Sequence, residues 1–533
     1  MLNGGMEMDR RRFLKFGAGA VSVPFAAGRL TANAYGMSPL AALAAAAAND
    51  RVLVVIRLDG GNDGLNTVLP LDQYANLAKA RANILIPEAK AVKLSAVTGL
   101  HPALRGLASM YEDGKLRVIQ AVGYPNHNQS HFRSTDIWFS ASDYNQVLTT
   151  GWLGRYLETV YPNYPDGYPS KDFPDPPAVQ IGSSLFTLLQ GSQVPMGMAV
   201  ANATSIYSLV PAGTDTAPAT PAGHELTFIR QMATETQKYG DALKKAIAAA
   251  TNKSTLYPAT GNALSDQLKG VARLIAGGLQ TKVYVVSLRG FDTHAAQVLA
   301  ADVTTGSHAN LLTKLNDAIV AFQDDLKLLG IENRVMGMTI SEFGRRILSN
   351  ASLGTDHGTS APHFVWGAGV SGGLLGTNPV IPATVTVKDN VAMQYDYRSI
   401  YASIMRDWMG VSGADLTAVL LKDFPYLPIV GTPILRRDPV VSGAALEPNF
   451  PNPFRGATTL RYRVAASGRV RLRVFDSRGS LVRVVVDGFH TPGSYARTME
   501  AGSLSPGTYY CRLEMSGQAG GGESLQRALE VMR

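Results

Sequence analysis

The chain carries nine histidines, and several stand beside acidic residues in short stretches rich in glycine. "LDGGNDG" holds Asp59, Asn62 and Asp63; "NHNQSHFRSTD" holds His127, Ser130, His131 and Asp136. "FDTH" holds Asp292 and His294, "SEFGR" holds Glu342 and Arg345, and "SLGTDHGTSAPHF" holds Asp356, His357 and His363. Carboxylate oxygens and imidazole nitrogens are the donors that borderline cations such as zinc or manganese accept. Drawn from distant loops into one pocket, such donors would make two adjacent sites. Two ions about 4 Å apart can clamp an ester oxygen and activate a nucleophile. The expected cofactor is a pair of divalent ions: zinc, or else manganese, magnesium or calcium.

Each motif alone also has a plainer reading. Asp59 could stabilise the Gly60-Gly61 turn. Asp292 and His294 could form an Asx-turn beside a surface histidine. His363 could be a structural histidine, and Glu342 with Arg345 a salt bridge. Asp356-His357 is harder to explain in this way, because its small neighbours leave room for backbone to approach a ligand closely. The recurrence of these residue types at separate strand ends favours chemistry.

The elements that must position them alternate. "RVLVVIRLDGGNDG" is an unbroken apolar run from Val52 to Ile56 that ends in a polar turn, the pattern of a strand buried on both faces. Lys115–Asn126, Thr281–His294 and Asn333–Gly344 repeat it. Helical periodicity is expected around Pro102–Asp113, Glu225–Ala250, Ser265–Gly278 and His308–Leu329. Strands alternating with helices predict a doubly wound α/β sheet, in which ligands bind outside the carboxyl ends of the strands. Tyr161–Gly223, rich in Pro, Gly and Tyr, reads as an insertion shaping a cleft or as a plain loop. "GVSGGLLG" at Gly369–Gly376 reads as a loop near the metal edge.

The net charge of +8 is divided between the two ends of the chain. No dense Lys/Arg run with interleaved aromatics is present, which argues against a nucleic-acid partner. "MDRRRFLKFGAGAVSVPFAAG" resembles the twin-arginine export pattern, with Asp9 where Ser or Thr is usual. Its apolar run is shorter than the roughly 20 residues a membrane span needs, and "ANA" at Ala32–Ala34 offers a cleavage site. Export through the twin-arginine translocase is expected, to the periplasm, cell surface or medium, with no integral span after removal of the signal. Cys511 is the sole cysteine, so no intrachain disulfide can form.

The expected organisation is a signal and alanine-rich segment over 1–49, an α/β domain over 50–430, a Pro-rich linker over 431–448, and an all-β domain over 449–533. In the last of these the period becomes two. Leu460, Tyr462 and Val464 alternate with Arg461 and Arg463, and Val470, Leu472 and Val474 with Arg469, Arg471 and Arg473. Such strands predict a small immunoglobulin-like sandwich. From Glu447 onward there are 12 Arg and 7 Asp+Glu, 12 − 7 = +5, and no Lys. Pro451-Asn452-Pro453-Phe454 and Gly507-Thr508-Tyr509-Tyr510 resemble the C-terminal modules of secreted bacterial proteins. That resemblance implies either a sorting signal read by an outer-membrane secretion system or an inert spacer.

"LVVIRLDGGNDGLNTVLP", "SHFRSTDIW", "GWLGRYL", "FDTH", "SEFGRR" with "GTDHG", and "YDYRSIYASIMRDWMG" together resemble the domain of unknown function 1501 family, over about Arg51 to Pro428. This is a group of exported bacterial proteins related to sulfatases and alkaline phosphatases. The resemblance implies an alkaline-phosphatase-like sheet and a bimetal site that hydrolyses phosphate or sulfate esters of a small molecule or polysaccharide through a covalent enzyme intermediate. On that pattern Asp59 and Asp356-His357 would hold one metal, and Asp292, His294 and His363 the other. Ser130 stands nearest the expected nucleophile position, with His131 and Arg133 as stabilisers of the transferring oxyanion. Ser130 could equally cap the helix that follows. The Cys-x-Pro-Ser-Arg signature of formylglycine sulfatases is absent. The rival expectation is a catalytically silent envelope or secreted binding protein that keeps the fold.

Overall fold

A computed structural model describes residues 50–201, 238–431, 445–446, 449, 451–464, 468–490, 493–502, 504–517 and 522–532. The twin-arginine segment, the alanine run, residues 202–223 of the Tyr/Pro-rich stretch, residues 225–237 of the expected helix and most of the linker lie outside these residues. The chain divides into two compact units, Met1–Ile434 and Leu435–Arg533.

The first unit contains β1 (Val52–Asp59), β2 (Val68–Pro70), β3 (Val92–Lys93), β4 (Thr98–Leu100), β5 (Leu116–Gly123), β6 (Ala178–Ile181) and β7 (Met198–Val200). It continues with β8 (Val283–Arg289), β9 (Val335–Ile340), β10 (Arg345–Ser349), β11 (Thr355–His357), β12 (Ala361–Trp366), β13 (Gly373–Leu375) and β14 (Tyr395–Asp396). The main sheet has the order β13-β5-β12-β9-β1-β8-β6-β7, with β14 beside β5. β1 lies parallel between β8 and β9, and β6 lies parallel between β8 and β7. Only β12 runs the other way, between β9 and β5. The carboxyl ends of β1, β5, β8 and β9 therefore share one edge, and the polar motifs leave from it.

The continuous apolar run of β1 is explained by burial on both faces. Val52, Val54, Ile56 and Leu58 pack on one side with the helices Arg105–Glu112, Ala263–Ala276 and Ser307–Leu328. Leu53 and Val55 pack on the other side with His131–Ser140, Trp152–Val160, Tyr397–Asp407 and Gly413–Leu420. This is the doubly wound architecture. Each fully buried Val, Leu or Ile contributes roughly 1.5–3 kcal/mol, so the sheet centre is a rigid base for the loops at its edge.

The described part of the Tyr/Pro-rich stretch supplies β6 and β7 of the main sheet, and its Ile181, Gly182 and Ala201 help to line a cavity of about 820 Å³. One expectation is corrected. "GVSGGLLG" supplies β13, which pairs with Arg117–Ile119 in the amino-terminal half of β5. It is thus an edge strand away from the edge where the polar loops gather.

The second unit is all-β. Ala445–Leu446, Ala457–Val464 and Gly493–Glu500 form one antiparallel sheet. Leu481–His490, Gly468–Phe475, Gly507–Gly517 and Gly522–Val531 form the other. Leu460, Tyr462, Val464, Val470, Leu472, Val474, Cys511 and Leu513 share one core. Arg461, Arg469 and Arg471 face solvent, so the period-two pattern sets the two faces.

A candidate metal centre at the carboxyl edge of the sheet

His131, Asp292 and His357 bring their donor atoms together, and His294 stands against Asp292 and His357. Asp292 Oδ1 lies 3.2 Å from His294 Nε2, 3.2 Å from His357 Nε2 and 3.5 Å from His131 Nε2. His294 Nε2 and His357 Nε2 are 2.8 Å apart. Donors held about 2.0–2.2 Å from a shared ion lie roughly 3.3 Å from one another, so these separations suit a single cation. His131, Asp292 and His357 form the only such group of three or more acidic, imidazole or thiol donors among the described residues.

The second ring nitrogens decide the chemistry. His357 Nδ1 is 2.8 Å from the Gln129 carbonyl, which can only accept. His294 Nδ1 is 3.1 Å from Asp356 Oδ1, and His131 Nδ1 is 2.9 Å from Glu342 Oε1. Each Nδ1 therefore has an acceptor to donate to, and each ring presents its Nε2 to the Asp292 carboxylate. Imidazole nitrogens gathered around one carboxylate oxygen make a donor set that a shared cation would suit. An imidazole that donates one N–H to a carboxylate or carbonyl and offers the other nitrogen is the usual outer arrangement of a metal-ligating histidine. The donor set thus fits a borderline divalent ion.

Local structure explains how these groups meet. Gly60 has φ of 123°, and a Cβ there would lie 2.2 Å from the Asp292 nitrogen, so only glycine lets the end of β1 pass under the Asp292 loop. The Asp59 carbonyl accepts the N–H groups of Gly290 and Phe291. Arg345, fully buried, ties the parts together. Its guanidinium donates to the carbonyls of Gly61 (2.8 Å), Phe291 (3.0 Å), Thr355 (3.0 Å) and Gly60, and to Asp292 Oδ1 at 2.6 Å.

Gln297 is a second tie. Its Oε1 accepts both Thr293 Oγ1 (3.0 Å) and Thr355 Oγ1 (2.8 Å), and its Nε2 donates to buried Asp63 at 2.6 Å. Thr293 sits between Asp292 and His294, and Thr355 immediately precedes Asp356-His357. One amide therefore sets the spacing of two donor-bearing segments. Gln297→Leu is expected to weaken zinc binding about 10- to 100-fold, the usual cost of losing an outer partner. Titration of chelator-stripped protein checks this, and wild-type affinity in the variant would refute it.

Burial pushes the Asp292 carboxyl up, but the Arg345 hydrogen bond and charge outweigh it and hold the group below the usual range. Asp356 is likewise held low, with burial opposed by hydrogen bonds from His294 and Asn350. The Glu342 hydrogen bond raises His131, while burial lowers His357.

The expected site residues divide as follows. Asp292, His294 and His357 offer donor atoms, and Asp356 lies behind His294 as its orienting carboxylate. Asp59 does not join them, because it is ion-paired with Arg57 at 2.7 Å and Arg289 at 3.8 Å. His363 is also outside the cluster. It lies within β12 opposite Ile119, is 3% exposed, stacks on Trp138 and reaches the Thr339 carbonyl. Burial lowers its pKa to about 4. The stretch Ser352–Phe364 is not all loop, because its last residues already belong to β12. His131, expected to stabilise an oxyanion, turns a ring nitrogen to the metal donors instead. Arg133 turns Nη2 to the carbonyls of Asp143, Tyr144 and Gln146, while its buried Nη1 has no hydrogen-bond partner among the described residues. Glu342 does not pair with Arg345; it accepts from His131 and from Gly60 N–H at 2.8 Å. Ser130 is exposed at the N-terminus of the helix His131–Ser140, and its side chain makes no cap hydrogen bond. The roles of Gln129, Gln297, Thr293 and Thr355 were not foreseen. Nothing in their sequence context marks them, apart from their adjacency to donor residues.

A family model described as "Protein of unknown function (DUF1501)" matches residues 108–419, more than half of the chain. No curated protein matches. Among solved structures, the chain is similar to alkaline phosphatase from the Antarctic bacterium TAB5, with 10% identity, coverage of 70% of this chain and 99% of that one, and a TM-score of 0.27. It is similar to PsFucS1 sulfatase from Pseudoalteromonas sp., with 9% identity, 87% of each chain covered, and a TM-score of 0.33. Dimeric latent PorU from Porphyromonas gingivalis is matched over 16% of this chain and 9% of its own, at 20% identity and a TM-score of 0.15.

Proposed function

This chain belongs to the DUF1501 family of proteins of unknown function, and we propose from its site that it is an exported, metal-dependent hydrolase of phosphate or sulfate esters. The observation that carries the reading is the convergence of the His131, His294 and His357 Nε2 atoms on Asp292 Oδ1, with every Nδ1 already engaged. A divalent ion held by these four residues supplies Lewis-acid polarisation of an ester oxygen. Zinc is the ion that this donor chemistry favours.

The chain's own groups do the rest. Ser130 is the nucleophile. Its hydroxyl is free of the cap bond that its position would allow, and it lies next to His131 in the chain. Attack by Ser130 Oγ forms a bond to phosphorus or sulfur and breaks the bond to the leaving oxygen; water then releases the Ser130 ester. Overall, one ester and one water give an alcohol and the free oxyanion. The helix N-terminus behind Ser130 favours negative charge there. With Arg133 committed to backbone carbonyls, Arg346 is the better candidate for facing that charge. It is held by the His357 carbonyl at 3.0 Å and reaches Gln129 Oε1 at 3.3 Å.

The substrate is a small-molecule or polysaccharide ester met outside the inner membrane. Export rests on the twin-arginine segment. Among the described residues no helix is long and apolar enough to cross a membrane. The tail, as a sorting module or spacer, belongs with an exported protein.

The test pairs metal content with turnover of aryl phosphates and aryl sulfates. Ser130→Ala is expected to retain its metal and lose turnover on the order of 10³-fold or more. Unchanged turnover in Ser130→Ala would remove Ser130 as nucleophile. Bound metal with no turnover of either ester class favours the silent binding protein, a reading supported by the diversion of Arg133 away from the site.

A further inference from the structure

We infer that the centre holds one divalent ion rather than two, and that the Arg345 guanidinium stands as the second positive group. This rests on the metal-centre reading above and deepens it. A second ion needs a second set of converging donors, and the nearby candidates among the described residues do not form one. Asp59 is flanked by Arg57 and Arg289. Asp63 is fully buried, gives both oxygens to Arg81 at 3.0 and 2.9 Å, and accepts from Gln297. Asp356 Oδ1 receives His294 Nδ1 and Asn350 Nδ2. His363 is enclosed beside Trp138. Glu342 gives Oε1 to Gly60 and His131; its buried Oε2 has no partner, and one oxygen does not make a site. Among the described residues only the one group of donors converges.

Arg345 supplies the physical reason. Its Nη2 sits 2.6 Å from Asp292 Oδ1, the atom on which the three imidazoles converge. Asp292 is thus already shared between the ion and a fixed cation. Four backbone carbonyls lock that cation in place, so it cannot swing away for a second ion. Another dication within about 4 Å of the first, the spacing of two-metal centres, would meet the repulsion of both an ion and a fixed guanidinium.

The decisive measurement is stoichiometry in the full-length exported protein. Chelator-stripped protein is titrated with zinc chloride alone in a calorimeter, and metal per chain is counted by mass spectrometry after reloading. One zinc per chain is expected, with stoichiometry and affinity unchanged in Asp59→Asn and binding at least about 100-fold weaker in His131→Ala. Two zinc ions per wild-type chain, or a drop from two to one in Asp59→Asn, would overturn the single-ion assignment while leaving the metal centre intact. No zinc on the wild-type chain would overturn the metal reading itself. Manganese spectra provide a second readout: an isolated-ion signal is expected, and a spin-coupled pair contradicts it.

Discussion

Replacing His357 with alanine is expected to abolish tight zinc binding and to lower ester turnover on the order of 10³-fold or more, with the fold intact. Loss of an outer partner alone costs about 10- to 100-fold in affinity, and His357 is a direct donor. Its Nε2 faces both His294 and Asp292, while Nδ1 is pinned to the Gln129 carbonyl. Its ring also packs at 4.4 Å from His131 and 4.6 Å from Phe343, so alanine removes both a ligand and the wall that orients the next one. The side chain is partly open to solvent, at 22% exposure, which limits the damage to the fold. Calorimetric zinc titration and aryl-ester turnover check the result, with circular dichroism as the folding control. Wild-type zinc affinity in this variant would remove the centre from the account.

Arg345→Met is expected to destabilise the first unit by about 3–5 kcal/mol, the range for breaking a buried, fully paired charge. Methionine fills much of the volume, so the loss is chiefly electrostatic. Four carbonyls and the Asp292 carboxylate lose their donor at once. Unpaired buried acceptors each carry a penalty of about 1–3 kcal/mol. Against a total stability of roughly 5–15 kcal/mol, that loss is large enough to reduce the yield of folded protein. The midpoint of urea unfolding measures it. A shift worth less than about 1 kcal/mol would show that Arg345 is not the tie between β1, β8 and β11.

Much of the architecture was legible because strand and helix periods report burial directly. Val52–Ile56 reads as doubly buried and is doubly buried; Leu460, Tyr462 and Val464 read as one face of a strand and share one core. The start of β12 at Ala361, inside the stretch Ser352–Phe364, was not legible in the same way. A loop rich in small residues runs directly into an antiparallel strand, and a histidine two residues inside that strand looks from sequence like one still in the loop. β6 and β7 within Tyr161–Gly223 were not legible for a related reason, since they are too short to show a period among prolines and glycines.

The residue types and their order along the chain established that acidic and imidazole groups gather at strand ends, because a parallel sheet brings its carboxyl ends to one edge. The motifs and the family resemblance together pointed to Asp59, Asp292, His294, Asp356, His357 and His363 as metal ligands, of which Asp59 and His363 stand apart from the rest in the fold. Only the folded chain decided which atoms face inward. A carboxylate binds a cation or orients a ring according to the group within about 3 Å of it, and that neighbour is often hundreds of residues away. Asp59 met Arg57 and Arg289, Glu342 met His131, and Arg345 met Asp292. Hydrogen-bond geometry at that range, which no spacing along the chain encodes, separated the donors from the residues that hold them in place.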